Sequence, residues 1–207
     1  MKTQAPTWRA ERAFWRDGYT RVAGVDEVGR GPLAGPVLAG AVVLPYSRAR
    51  WMRQLRDSKL LTPAAREEIA AEIRARTDWG IGAVSPHVID QIGIVWATRL
   101  AMRLAVLSLT TPADALIVDG REVVHCGIAQ RAVIGGDMLC ISVAAASIVA
   151  KVARDALMRG YDSTFPGYGF EENKGYATAG HRSALRALGP STLHRLSWEP
   201  VRAAMRR

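Results

Sequence analysis

The chain has 207 residues, 49% hydrophobic and 23% charged, an ordinary globular balance with ample length for a buried core. A formal net charge of +9 favours a polyanionic partner, nucleic acid first and an anionic membrane surface second. The longest apolar run, near residues 141–150, is far short of the ~20 residues of a membrane span, and the N-terminus lacks the apolar centre of a signal peptide. Cys126 and Cys140 show neither metal-site spacing nor a disulfide framework, which fits a reduced, cytoplasmic setting.

In chain order, residues 1–17 read as an arm or short helix, with Trp8, Phe14 and Trp15 able to dock on the body. Residues 21–28 and 36–44 read as two strands joined by a glycine-rich turn. Residues 61–77 form a helix, capped by Thr62 with Pro63 in its first turn. Residues 78–85 supply a third strand. Residues 85–109 read as one long helix opened by Ser85 and Pro86. Residues 113–120 and 131–137 are short apolar runs that end in an acid beside glycine, the pattern of buried strands. Residues 141–158 give a helix whose small residues can sit close on a sheet, and residues 172–188 a loop leading into a helix. Adjacent strands followed by strands alternating with helices predict a mixed sheet covered by helices, with functional residues at strand ends.

Asp26 with Glu27, Asp119, and Asp137 fall at the ends of such apolar runs, each near a glycine. An acid before glycine is also an ordinary turn former. Carboxylates gathered at one sheet edge repel and are tolerated only when protonated or neutralised. Hard divalent cations such as Mg²⁺ or Mn²⁺ prefer oxygen ligands, and two of them would balance four carboxylates and admit a phosphodiester. Asp155 is a rival fourth ligand, but it lies within a helix among cations. Neighbours on a strand point to opposite faces, so Asp26 and Glu27 can share a site only where the strand ends or bulges.

Gly29, Gly31 and Gly35 lie near a dinucleotide-loop spacing, yet the lysine and Ser/Thr of a P-loop are missing and Pro32 and Pro36 oppose a helix start. Two readings stand: a plain turn, or a backbone that approaches a 2′-hydroxyl with Arg30 beside a phosphate or sugar. Ser147, Lys151 and Arg154 share one helix face, either toward phosphates or solvated with Lys151 paired to Asp155. Lys59 and Lys174 lie in loops suited to phosphate contact, and the Tyr176 ring can stack on a sugar. His181 and His194 read as surface or structural residues, with proton transfer as the other use.

The stretch "AGVDEVGRGPLAGPV" resembles the signature of type 2 ribonuclease H, also called ribonuclease HII. "DSKLLT", "IVDG", "GGD", "AAASIVAKVARD", "GYGFEENKGYAT" and "GPSTLHRLSWEPV" continue the resemblance from about Gly18 onward. It implies an α/β, ribonuclease H-like fold, a five-stranded mixed sheet flanked by helices with a C-terminal helical extension, the catalytic domain spanning 18–207. It implies endonucleolytic hydrolysis of RNA paired to DNA and cutting on the 5′ side of a lone ribonucleotide in duplex DNA, leaving 3′-hydroxyl and 5′-phosphate ends. The implied cofactor is Mn²⁺ or Mg²⁺, held and used by Asp26, Glu27, Asp119 and Asp137. The family's ribose-sensing segment falls on Gly29, Arg30 and Gly31, and its junction-sensing tyrosine on Tyr176. A monomer is expected.

The chain departs from the family pattern at Leu60 and Gly135, where lysines are usual, and at Ala177 in place of glycine. These departures bear on substrate affinity and leave the chemistry in place. Alternatives are a resolvase-like nuclease that cuts DNA without ribose and a non-catalytic duplex-binding module with steep salt dependence. The type 3 relative normally carries a further N-terminal domain, for which this chain is expected to have no room.

Overall fold

The computed structural model describes residues 5–47, 49–55, 61–121 and 123–206. In chain order its elements are α1 (Arg9–Arg16), β1 (Val22–Val28), β2 (Val37–Val43), a 3-10 turn (Arg50–Gln54), α2 (Pro63–Arg76), β3 (Asp78–Val84), α3 (Pro86–Ile92), α4 (Ile94–Leu107), β4 (Ala115–Asp119), β5 (Ala129–Val133), α5 (Gly136–Leu139), α6 (Ile141–Thr164), α7 (Phe170–Asn173), α8 (Ala179–Leu188) and α9 (Glu199–Met205). The strands form one sheet in the order β3-β2-β1-β4-β5. β1 runs antiparallel to β2 and parallel to β4, so the sheet is mixed.

Alternation along the strands divides the core between two faces. Ala23, Val25, Leu116 and Val118 pack with Ala97, Ala101 and Met102 of α4. Val42 packs on the opposite side with Ala145, Ile148 and Val149 of α6 and with Ile69 and Ile73 of α2. The small residues of α6 meet a matching gap at Gly24, where an added Cβ would lie 2.1 Å from the Ser142 carbonyl carbon. α6 therefore rides almost on the backbone of β1. Phe14 of α1 is buried with Val22, Ile117 and Val143, while Trp8 and Trp15 pack against each other and against Tyr46.

The structure corrects four sequence-based expectations. The helix expected over 85–109 is two helices, because Gly93 takes φ 78°, accepts the end of α3 and opens α4. β5 begins at Ala129 and ends at Val133, and it is a half-exposed edge strand where a buried one was expected. Asp137 consequently lies in the first turn of α5, beyond the strand. α6 continues past Met158 to Thr164. The helix caps agree with expectation: Thr62 and Ser85 accept from Ala65 N–H and Val88 N–H. Both cysteines are free. No helix among the described residues is long and apolar enough to cross a membrane.

Candidate active site

β1 remains paired with β2 through Val28↔Leu38, but its ladder with β4 stops at Val25↔Val118. Beyond that point one side of β1 is open, which resolves how adjacent residues share a site without a bulge. Asp26 continues the side of the sheet that faces α6, and Glu27 continues the side that faces α4. The short aspartate and the longer glutamate meet around the open edge, and Asp119 arrives from the end of β4. One carboxylate oxygen from each of Asp26, Glu27 and Asp119 lies within 4.8 Å of the others.

Each of these carboxylates also has local support. Asp26 accepts the Glu27 N–H at 2.7 Å and is hydrogen-bonded to the Ser147 hydroxyl of α6. Asp119 accepts the Gly136 N–H at 2.6 Å. Glu27 pairs with Arg30, Oε1 to Nη1, at 3.3 Å. Asp137, 7% exposed at the start of α5, is close enough for its charge to act on Asp26.

The electrostatic cost of this cluster is plain. Burial, then the charges of Glu27 and Asp119, push the Asp26 carboxyl well above its ordinary range, and Asp137 adds to the same direction. Burial also raises Glu27, against the favourable charge of Arg30. Asp155 stands apart from this group: it pairs with Lys151 at 2.6 Å and with Arg66 at 3.7 Å. A carboxylate-only donor set of this kind fits a hard divalent cation.

Next to the acids, the chain after β1 turns at Gly29, whose φ of 89° suits glycine. An ideal Cβ on Gly31 would stand 4.0 Å from Cε1 of Tyr176, so the glycine segment and the tyrosine loop meet at the surface. The Tyr176 residue is 43% exposed. Lys174, on the same loop, takes a left-handed φ of 51° and donates through Nζ to the Glu171 carbonyl. Ser147 is 6% exposed and occupied with Asp26, and Lys151 is occupied with Asp155. Lys59 lies outside the described residues.

Two arginines lie beneath these loops, one placed differently from the sequence reading and one that it missed. Arg154 was expected on a shared polar face of α6, yet it is wholly buried and donates to the carbonyls of Pro36, Ala34 and Lys174. Arg195, also wholly buried, donates to the carbonyls of Gly29, Arg30 and Gly35. Burial and the nearby Arg154 charge pull Arg195 down to about 9. Together they hold the inner side of the glycine segment by its carbonyls. The available signal for Arg195 was a cation between leucines in "LHRL", which local patterning alone does not interpret. His181 and His194 are buried at 0% and 1%, so they are structural and not surface residues.

Comparison with known proteins agrees with this architecture. A sequence profile of the ribonuclease HII family matches residues 23–201. The chain is 48% identical over 200 residues to ribonuclease HII of Geobacter sulfurreducens, covering 96% of this chain and 91% of that protein. It is 52% identical over 190 residues to ribonuclease HII of Moorella thermoacetica, covering 91% of each. The crystal structure of ribonuclease H2 from Pyrococcus horikoshii superposes with a TM-score of 0.77 at 26% identity, covering 91% of this chain and 98% of that one. With the expected five-stranded mixed sheet and matches over nearly its full length, the chain belongs to the ribonuclease HII family of RNA-cleaving hydrolases.

Proposed function

We propose that this ribonuclease cuts the RNA strand of RNA–DNA hybrids and, in duplex DNA, cuts on the 5′ side of a single ribonucleotide, leaving 3′-hydroxyl and 5′-phosphate ends. The observation that carries the reading is the convergence of Asp26, Glu27 and Asp119 oxygens within 4.8 Å. Three carboxylates at that spacing, with Asp137 beside them, repel a phosphodiester unless cations neutralise them. Two divalent ions, Mn²⁺ or Mg²⁺, supply that charge when bound and polarise the phosphate for hydrolysis.

The chain's own residues have distinct parts. Asp26, Glu27, Asp119 and Asp137 are the ligands. Ser147 orients Asp26 through its hydroxyl, a positioning part in place of the nucleic-acid contact expected for it. Glu27 in turn holds Arg30 near the scissile region. The backbone of Gly29 to Gly31 approaches the ribose closely enough to meet its 2′-hydroxyl, since neither glycine carries a side chain. Tyr176 stacks on the following sugar, where a second 2′-hydroxyl would clash. Lys174 and Lys151 lie on segments that flank the duplex backbone, and Lys59 is a further phosphate contact on the sequence alone.

The deciding experiment incubates the protein with a DNA duplex carrying one ribonucleotide, with and without Mg²⁺ or Mn²⁺, and maps the ends. A metal-dependent cut 5′ of the ribonucleotide is expected. Equal cutting of an all-DNA duplex would favour a ribose-blind nuclease. Binding without turnover in either metal would favour a non-catalytic module.

A further inference from the structure

The glycine segment and the tyrosine loop belong to distant parts of the chain, yet they must hold a fixed spacing to read two successive sugars. Their backbones are tied at several points. Leu33 N–H donates to the Gly175 carbonyl at 2.8 Å, and Arg154 bridges Ala34 and Lys174. These backbone ties end at Gly175, while the Arg154 guanidinium also lies 5.9 Å from the centroid of the Tyr176 ring. Within its own loop the Tyr176 carbonyl accepts the Thr178 N–H at 2.8 Å, and from α8 it is also met by a histidine side chain.

His181, in the first turns of α8, places Nδ1 2.8 Å from the Tyr176 carbonyl. Its Nε2 lies 3.1 Å from Nε2 of His194. His194 belongs to the glycine side: it forms an antiparallel bridge with Ala34, flanked by Gly35 N–H to the Leu193 carbonyl and Arg195 N–H to the Leu33 carbonyl. The pair is thus a side-chain bridge between the two sugar-facing segments.

The proton positions follow from the fixed partners. Ser191 N–H donates to Nδ1 of His194 at 3.0 Å, so that nitrogen is bare and the neutral ring carries its proton on Nε2. That Nε2–H donates to His181, whose Nε2 must then be bare. His181 therefore carries its proton on Nδ1 and donates it to the Tyr176 carbonyl. All donors point one way, from Ser191 to Tyr176. The rings are enclosed by Phe170 and by Tyr168, whose hydroxyl donates to the Gly189 carbonyl. Burial lowers both imidazoles, His194 to about 4, which keeps the chain of bonds uncharged at neutral pH.

We propose that His181 and His194 are positioning residues that set Tyr176 against the glycine segment, and so fix the spacing at which ribose and the following deoxyribose are read. The proposal rests on the reading of Tyr176 given above. Neither histidine touches substrate.

The test compares kcat/KM for a duplex with one embedded ribonucleotide against kcat/KM for a continuous RNA–DNA hybrid. His194→Leu removes the donor to His181 and should lower that ratio about fivefold, the worth of one buried hydrogen bond. His194→Gln offers an amide donor near the Nε2 place and should restore most of the ratio. Nitrogen-15 shifts of the unmodified protein should show His181 protonated on Nδ1 and His194 on Nε2, a result that needs no variant to fold. An unchanged ratio in folded His194→Leu, or a proton on Nε2 of His181, overturns the proposal. Tyr176→Ala separates the two readings. If it lowers the ratio and His194→Leu does not, only the histidine coupling fails. If Tyr176→Ala leaves the ratio unchanged, the tyrosine reading fails and the coupling falls with it.

Discussion

Asp26 is 5% exposed and has negative neighbours on three sides, so the metal-free protein carries a built-in cost. Asp26→Asn removes that cost. Cleavage should be abolished while duplex binding persists, and the metal-free protein should gain ~1–2 kcal/mol, the common trade between stability and function. Thermal unfolding with and without Mg²⁺ checks this: the unmodified protein should gain in Tm from the metal and the variant should gain far less. Arg30 is the second residue-scale case. Its tie to Glu27 holds it at the site, with over a third of its side chain open to solvent. Arg30→Ala should reduce the preference for a ribonucleotide over an all-deoxyribose site by about tenfold, read as relative kcat/KM on the two duplexes. Both residues were legible in the sequence, since an acid pair and a glycine-flanked arginine in a basic chain already stood out.

At the scale of elements, the site depends on how near α6 comes to β1. Ser147 reaches Asp26 because Gly24, earlier on the same strand face, leaves room for the helix backbone at Ser142. Gly24→Ala has no flexible side chain to push aside and must displace α6. A loss of ~1–3 kcal/mol in urea unfolding is expected, with a fall in kcat as Asp26 loses its hydrogen bond. The elements themselves were largely readable from alternation and caps. Gly93 was the main exception: a glycine inside a helical pattern is compatible with either a continuous helix or a break, and only packing against the sheet selects the positive φ. Asp137 is similar. Its apolar lead-in resembled a strand end, yet Gly135 turns the chain into a short helix first.

For the whole molecule, the glycine segment after β1 and the C-terminal segments are linked by Arg154, Arg195 and the histidine pair. This interior sets a pH dependence. The unfolded histidines titrate near 6.5 while the folded ones are lowered, His194 to about 4. Between those values the unfolded chain binds more protons, so stability present above pH 6.5 is lost as pH falls toward 4. Chemical denaturation across this window should show the decline, and His194→Gln should flatten it. The acid cluster acts in the opposite sense, since Asp26 is raised and its repulsion is relieved on acidification, which is why the variant comparison is needed.

The amino-acid sequence by itself determined the strands and most helices, the +9 charge and the four acids at the ends of apolar runs, because each is written in residues close together in the chain. Tertiary structure alone decided that Asp26 and Glu27 could share an open edge, that Ser147 serves a carboxylate, and that Arg154, Arg195, His181 and His194 lie inside. The reason is physical. A buried polar side chain is tolerated only where distant backbone groups meet it, and which groups those are depends on contacts up to 166 positions apart that no local pattern encodes.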